Sequence, residues 1–270
     1  MTSPSTHPGS PADMVIPERF RNQICIVTGA ESGIGKATAT RFAREGAEVY
    51  GFGLDVTQGR AWQDEMRASG IRVEFLEVDV SDSAAVQQGI SQVVRGTRQI
   101  GVLVNNAAMF DFHRMEDLDE QRWDRVMEVN VKSVFLMSKY SIPHMREDGG
   151  SIINVASVHA LATMDSVPVY AASKGAVMAL SRQMAIDCIQ DGIRVNSVVV
   201  GGVETNMSAK HALALGKSPD DLGYIKDPRA LGRTADAAEI AAGITYLASR
   251  DASFVVGAAF VIDGGATARL

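Results

Sequence analysis

Two rhythms of apolar and polar positions trade places along this chain from about residue 23 almost to its end. Short unbroken apolar runs, beginning with Ile24-Cys25-Ile26-Val27, read as strands buried on both faces. Between them, apolar residues recur three and four apart. Lys36 to Glu45 turns Ala37, Ala39, Phe42 and Ala43 to one side, and Gly46 fits its stop. The same reading predicts further strands at 49–52, 73–78, 101–104, 151–155, 193–198 and 258–262. It predicts helices at 62–68, 84–95, 119–141 (in two pieces, with Pro143 near the end), 169–189 and 237–248. Residues 201–228 have weaker periodicity. Strands alternating with helices predict an α/β fold: one doubly wound domain, a parallel sheet between two helical layers.

Composition agrees and narrows the function classes. The 270 residues are 46% hydrophobic and 21% charged, the profile of a globular protein, and this length buries a large core without staples. Two cysteines, Cys25 and Cys188, each in an apolar stretch, argue against a disulfide scaffold and for reduced, packed thiols in a cytoplasmic protein. A net charge of −6 with no Lys/Arg cluster argues against nucleic acid as a partner. No apolar run reaches 18 residues, so no membrane span is expected. Residues 1–17 hold four of the eight prolines and no Lys or Arg, and read as a flexible arm ahead of a domain over 18–270.

The chemistry starts between the first strand and the first helix, at Thr28-Gly29-Ala30-Glu31-Ser32-Gly33-Ile34-Gly35. Glycines there let the backbone turn sharply and approach a pyrophosphate, whose charge a helix N-terminus meets. The spacing is G-x-x-x-G-x-G, so Gly29, Ser32, Gly33, Ile34 and Gly35 are candidate cofactor contacts. Tyr170 and Lys174, four apart in a predicted helix, share one face about 5–6 Å apart. A neighbouring ammonium favours phenolate, which equips a tyrosine to exchange a proton with an alcohol oxygen while hydride moves to nicotinamide. With five His and no H-x-x-x-H pair, no metal site is expected.

The glycine loop, Asn105-Asn106-Ala107-Ala108 and Tyr170-x-x-x-Lys174 resemble the short-chain dehydrogenase/reductase family over about residues 20–265. The resemblance implies a Rossmann-like domain with a seven-stranded parallel sheet, assembled as a homotetramer. It implies a catalytic set of Asn130, Ser157, Tyr170 and Lys174. Ser157, 13 residues before Tyr170, would hold the substrate oxygen, and Asn130 would support a water-linked proton relay. Asp79 and Val80 would meet the adenine. Asn106, Ala107 and Ala108 would lie along the cofactor, with Ala108 in place of the usual glycine. The backbone near Val203 would hold the carboxamide and Thr205 the carboxamide or a phosphate, with Val200 replacing a usual proline.

Cofactor choice is read at the end of the second strand, where a carboxylate binds the ribose hydroxyls of NAD. The family's usual acidic position falls on Gly53, and Asp55, two residues later, is the candidate substitute, with a turn or cap role as its alternative. No basic residue lies between Tyr50 and Gln58, which favours NAD over NADP. His159, Gly201 and Met207, with Ser157 and Tyr170, are the candidate substrate residues, and Met109, His113 and Met164 fall in loops near the same mouth. Residues 201–228 would form a lid whose Met207, Ala212, Leu213 and Leu215 suggest an apolar inner face. The expected reaction interconverts a secondary alcohol and a ketone. The alternatives are an NADPH-linked 3-oxoacyl thioester reductase and a non-catalytic dinucleotide sensor.

Overall fold

The computed structural model describes residues 14–96, 99–205, 209, 212–213, 216 and 231–268. The strands are β1 (Ile24–Thr28), β2 (Glu48–Gly53), β3 (Val73–Glu77), β4 (Ile100–Asn105), β5 (Gly150–Ser157), β6 (Ile193–Val200) and β7 (Ala259–Ile262). Among the described residues the α-helices are α1 (Gly33–Arg44), α2 (Val56–Ala68), α3 (Ser83–Val93), α4 (Glu120–Met127), α5 (Ser133–Ser141), α6 (Pro168–Cys188) and α7 (Ala237–Ala248). The seven strands form one parallel sheet in the order β3-β2-β1-β4-β5-β6-β7.

The unbroken apolar runs exist because the sheet is covered on both sides. Along β1, Cys25 and Val27 enter a core with Phe42, Trp62 and Ile244. Ile24 and Ile26 enter the opposite core with Phe52, Ile90, Leu103 and Met184. Each such side chain contributes roughly 1.5–3 kcal/mol when fully buried. Cys25 and Cys188 are free, buried thiols, and burial pushes both upward from the ordinary thiol range.

The chain runs outward from β1 to β3, then returns to place β4 on the other side of β1. The loops leaving β1 and β4 therefore part over the carboxyl edge of the sheet, which opens a crevice there. Thr28 holds its two sides together. Its hydroxyl accepts the Asn106 and Ala107 N–H groups, each at 2.9 Å, and Asn106 Nδ2 donates to the Thr28 carbonyl at 2.9 Å.

Element boundaries follow the caps. The α2 helix starts at Val56 rather than near Trp62, because the Asp55 carboxylate accepts the Gln58 N–H at 3.0 Å and supports a solvent-facing first turn. Asp82 and Asp119 cap α3 and α4 in the same way, and Asp236 with Glu239 forms a capping box on α7. The two predicted pieces of the 119–141 helix are joined by a π-helical turn, Glu128–Lys132, with no interruption of the helical path.

Of the predicted arm, residues 14–17 are described, and the Ile16 N–H donates to Glu45. The buried Glu45 carboxylate also accepts Arg19 at 2.7 and 2.9 Å and Arg41 at 3.0 Å, tying the segment before β1 to α1. Of the predicted lid, Met207 and Leu215 lie outside the described residues. Ala212 is buried, whereas Leu213 faces outward at 80% exposure.

Candidate active site

A cavity of about 650 Å³ occupies the crevice, reaching from the end of β2 past β1 and β4 to the ends of β5 and β6. It brings together most of the predicted site residues. Gly29, Ser32, Gly33 and Ile34 line it at the start of α1, and Asp79 and Val80 line it after β3. Asn106, Ala107 and Ala108 line it after β4. Ser157, His159, Tyr170 and Lys174 line its other half, together with Gly201, Val203 and Thr205. Gly35, Asp55 and Asn130 stand outside the wall, and Met207 is outside the described residues.

The glycine loop has the shape a phosphate needs. Gly29 adopts φ +65°, and a Cβ there would stand 2.9 Å from Asn106 Nδ2, so only glycine fits turn and neighbour together. A Cβ on Gly35 would meet the Gly29 backbone, so Gly35 serves close packing of helix against loop. Ser32 sits at the N-cap of α1 without a side-chain cap bond, and the first turn carries no acidic residue. The positive end of the helix is thus left for an anion arriving from the cavity. These features fit a dinucleotide pyrophosphate.

At the end of the cavity beside β3, Asp79 accepts the Ser81 N–H at 2.9 Å and its hydroxyl at 2.6 Å. Burial works against its ionisation, but the Ser81 bonds and the nearby Arg125 guanidinium outweigh it and hold the carboxyl below its usual range. Arg125 donates to Ser81 Oγ at 2.8 Å and belongs to the same wall.

The chemical centre is built where β5 ends against α6. Ser157 closes β5, and its hydroxyl also accepts the His159 N–H at 3.3 Å. Tyr170 and Lys174 lie on the buried face of α6, at 7% and 3% exposure. Lys174 Nζ donates to the Val155 carbonyl at 2.8 Å and lies 5.6 Å from the Tyr170 ring centre. Burial pushes the Tyr170 phenol up to about 12, with the hydrogen bond to Ser157 acting the other way. Burial pulls the Lys174 ammonium down to about 8. Tyr170 is therefore a neutral phenol at neutral pH, and Lys174 is an ammonium close to its own titration.

Asn130 supports this centre from behind. Its carboxamide accepts the Met109 N–H at 2.8 Å and donates to the Met109 carbonyl and to Ser173 Oγ, each at 3.0 Å. Ser173 in turn donates to the Tyr170 carbonyl at 2.7 Å. One buried side chain on the π-helical turn thus fixes both the cavity loop after β4 and the turn that carries Tyr170.

Aromatic residues pack around Tyr170. Phe110 stacks on Tyr170 with ring centres 4.0 Å apart and on Phe112 at 4.2 Å, and His159 meets both Phe110 and Tyr170 edge-on. Val158, Ala162 and Met164 add apolar wall. Sequence reasoning missed Phe110, which has no spacing signal, and placed Met109 and Met164 at the mouth, where both line the cavity. His113 pairs with Asp111 and is not part of the cavity lining. It also missed Glu31, whose carboxylate lies over Gly53 at the end of β2. Asp55, read from sequence as a ribose ligand or a turn or cap residue, caps α2 through Gln58 and is not part of the cavity lining.

Fold and site define a Rossmann-type α/β protein with its ligand cavity at the topological switch point. The model of a family described as enoyl-(acyl carrier protein) reductase matches residues 29–267. A meso-2,3-butanediol dehydrogenase from Serratia marcescens is 37% identical over 252 residues, covering 93% of this chain and 96% of that protein. A cyclopentanol dehydrogenase from a Comamonas species is 34% identical over 251 residues, 93% of this chain and 99% of the other. The solved ligand-free structure of an aldohexose dehydrogenase from Thermoplasma acidophilum superposes with a TM-score of 0.84 at 30% identity, over 94% of this chain and 98% of that one. The chain belongs to the short-chain dehydrogenase/reductase family, whose oxidoreductases use NAD(P). No described helix is long and apolar enough to cross a membrane, and no group of three metal-ligating side chains occurs among the described residues.

Proposed function

We propose that this protein interconverts a secondary alcohol and a ketone by hydride exchange with a nicotinamide dinucleotide, NAD(H) in preference to NADP(H). The observation that carries the reading is the buried meeting of Ser157, Tyr170 and Lys174 at one end of a cavity whose other end suits a dinucleotide.

The bound nicotinamide would supply hydride to the carbonyl carbon in reduction and accept it from the carbinol carbon in oxidation. The chain's own residues handle everything else. The Ser157 and Tyr170 hydroxyls receive the substrate oxygen, and in reduction Tyr170 gives that oxygen its proton. Lys174, held by the Val155 carbonyl, stabilises the phenolate that remains. In oxidation the same groups act in reverse, with Tyr170 as base. The loop of Gly29, Ser32, Gly33 and Ile34 would hold the pyrophosphate, and Asp79 and Val80 would hold the adenine. Ala107 and Ala108 would lie along the cofactor, Lys174 would hold the nicotinamide ribose, Val203 would hold the carboxamide, and Thr205 the carboxamide or a phosphate.

The substrate side favours an uncharged, compact or cyclic alcohol. Phe110, Val158, Ala162 and Met164 offer apolar contact and little to bind a polyanion. The cyclopentanol and butanediol dehydrogenases among the relatives support this choice. Exposed Phe135 and Ile186 on one side, and Tyr246 and Phe254 on another, supply apolar faces for the homotetramer that the family reading implies. Two free thiols suit a reducing, cytoplasmic setting.

A panel of secondary alcohols and ketones, each assayed with NAD(H) and NADP(H), tests the reading. Turnover is expected on small cyclic or vicinal substrates with NAD(H). Tight dinucleotide binding with no turnover anywhere in the panel would replace it with the sensor reading.

A further inference from the structure

Gly53 ends β2 without the carboxylate that a diol-binding ribose site needs, yet the space is not empty. A Cβ built on Gly53 would fall within 2.6 Å of Glu31 Cδ and would collide with the Glu31 carboxylate oxygens. Gly53 has no positive φ, so its backbone would accept a side chain, and what excludes one is the Glu31 carboxylate itself. Glu31 Oε2 is closed off from solvent and has no hydrogen-bond partner among the described residues, a costly state for a carboxylate oxygen. Both Glu31 and Gly53 line the cavity.

The carboxylate is held there by backbone. The Gly29 and Ala30 N–H groups both donate to the Phe52 carbonyl, at 2.7 and 3.3 Å, which pins the glycine loop over the last residues of β2. One turn of strand earlier, Gly51 leaves room for Ala30 and Trp62 in the same way. Two glycines in β2 thus receive two successive side chains of the loop. The arrangement moves an acidic group from the strand to the phosphate loop without moving it from the site.

From this we infer that Glu31 is the residue that selects the unphosphorylated ribose. Its carboxylate, on the cavity wall, accepts ribose hydroxyls of NAD(H), and its charge opposes a 2′-phosphate. The inference rests on the nicotinamide-dinucleotide reading above and assigns its cofactor preference to one side chain.

Fluorescence titration of the full chain with NADH and with NADPH separates the two. The parent protein is expected to bind NADH at least tenfold more tightly than NADPH, and Glu31→Gln is expected to reduce that ratio at least tenfold. The double variant Glu31→Ala/Gly53→Asp, in which the vacated space receives a strand carboxylate, is expected to recover discrimination that Glu31→Ala alone lacks. A ratio unchanged in Glu31→Gln, with both nucleotides still bound, would overturn the role of Glu31 while leaving the dehydrogenase reading in place. A parent that prefers NADPH would overturn it too. A parent that binds neither nucleotide would remove the dinucleotide reading and this inference with it.

Discussion

Replacing Asn130 by alanine tests whether the π-helical turn between α4 and α5 organises the active site. The side chain is 1% exposed and makes three hydrogen bonds, two to the Met109 backbone and one to Ser173. At about 1 kcal/mol net for each bond, Asn130→Ala should cost about 3 kcal/mol, because the Met109 N–H and carbonyl lose their partner. For a chain of this size that lowers Tm by roughly 6–12 °C, at about 2–4 °C per kcal/mol. Met109 lines the cavity next to Ala108, and Ser173 bonds the Tyr170 carbonyl, so kcat should fall along with stability. Asn130→Asp sharpens the test. One oxygen still accepts the Met109 N–H, but the other would face the Met109 carbonyl with no proton to give, so this variant should be at least as damaged. Thermal unfolding by circular dichroism, with steady-state kinetics on the same samples, reads both effects. An Asn130→Ala protein that melts within about 2 °C of the parent and keeps its kcat would refute the reasoning.

Glu45→Ala leaves Arg19 and Arg41 facing a vacated buried site, and should cost about 3 kcal/mol in urea unfolding without changing KM; a loss under 1 kcal/mol would mean that the pairs are not stabilising. The pH dependence follows from the two displaced groups. With Tyr170 pushed up to about 12, the phenol is the dominant form and phenolate grows with pH, so alcohol oxidation should quicken between about pH 6 and 8. Ketone reduction needs the phenol and should not gain over that range. It should decline as pH rises through about 8, where Lys174 loses its charge. Initial rates in both directions across that span check the sign, and oxidation that slows from pH 6 to 8 would contradict it.

The layered fold was legible because β1, β4, β5 and β6 are buried on both faces and so read as unbroken apolar runs. Tyr170 and Lys174 could be paired from sequence because one helix face fixes their spacing, whereas Ser157 was reached only through the family resemblance. The first turn of α2 was not legible, since its residues carry no apolar period and only the Asp55 cap marks it. Asp55 carried two readings in the sequence, ribose ligand and turn or cap residue, and its bond to the Gln58 N–H matches the second. Glu31 could not be placed from sequence, since its position depends on a loop folding over a different strand, although Gly53 at an expected acidic position was a trace of it. The π-helical turn and the stacking of Phe110 on Tyr170 leave no periodic mark at all.

The most direct measurement of the central claim is Tyr170→Phe, which removes the one proton that the mechanism moves and little else. With a ketone that the parent reduces well, turnover should fall by about 10²–10⁴-fold, while NADH affinity by fluorescence stays within about threefold of the parent. A variant that binds NADH normally and keeps more than a few per cent of parental turnover would show that the proton comes from another group.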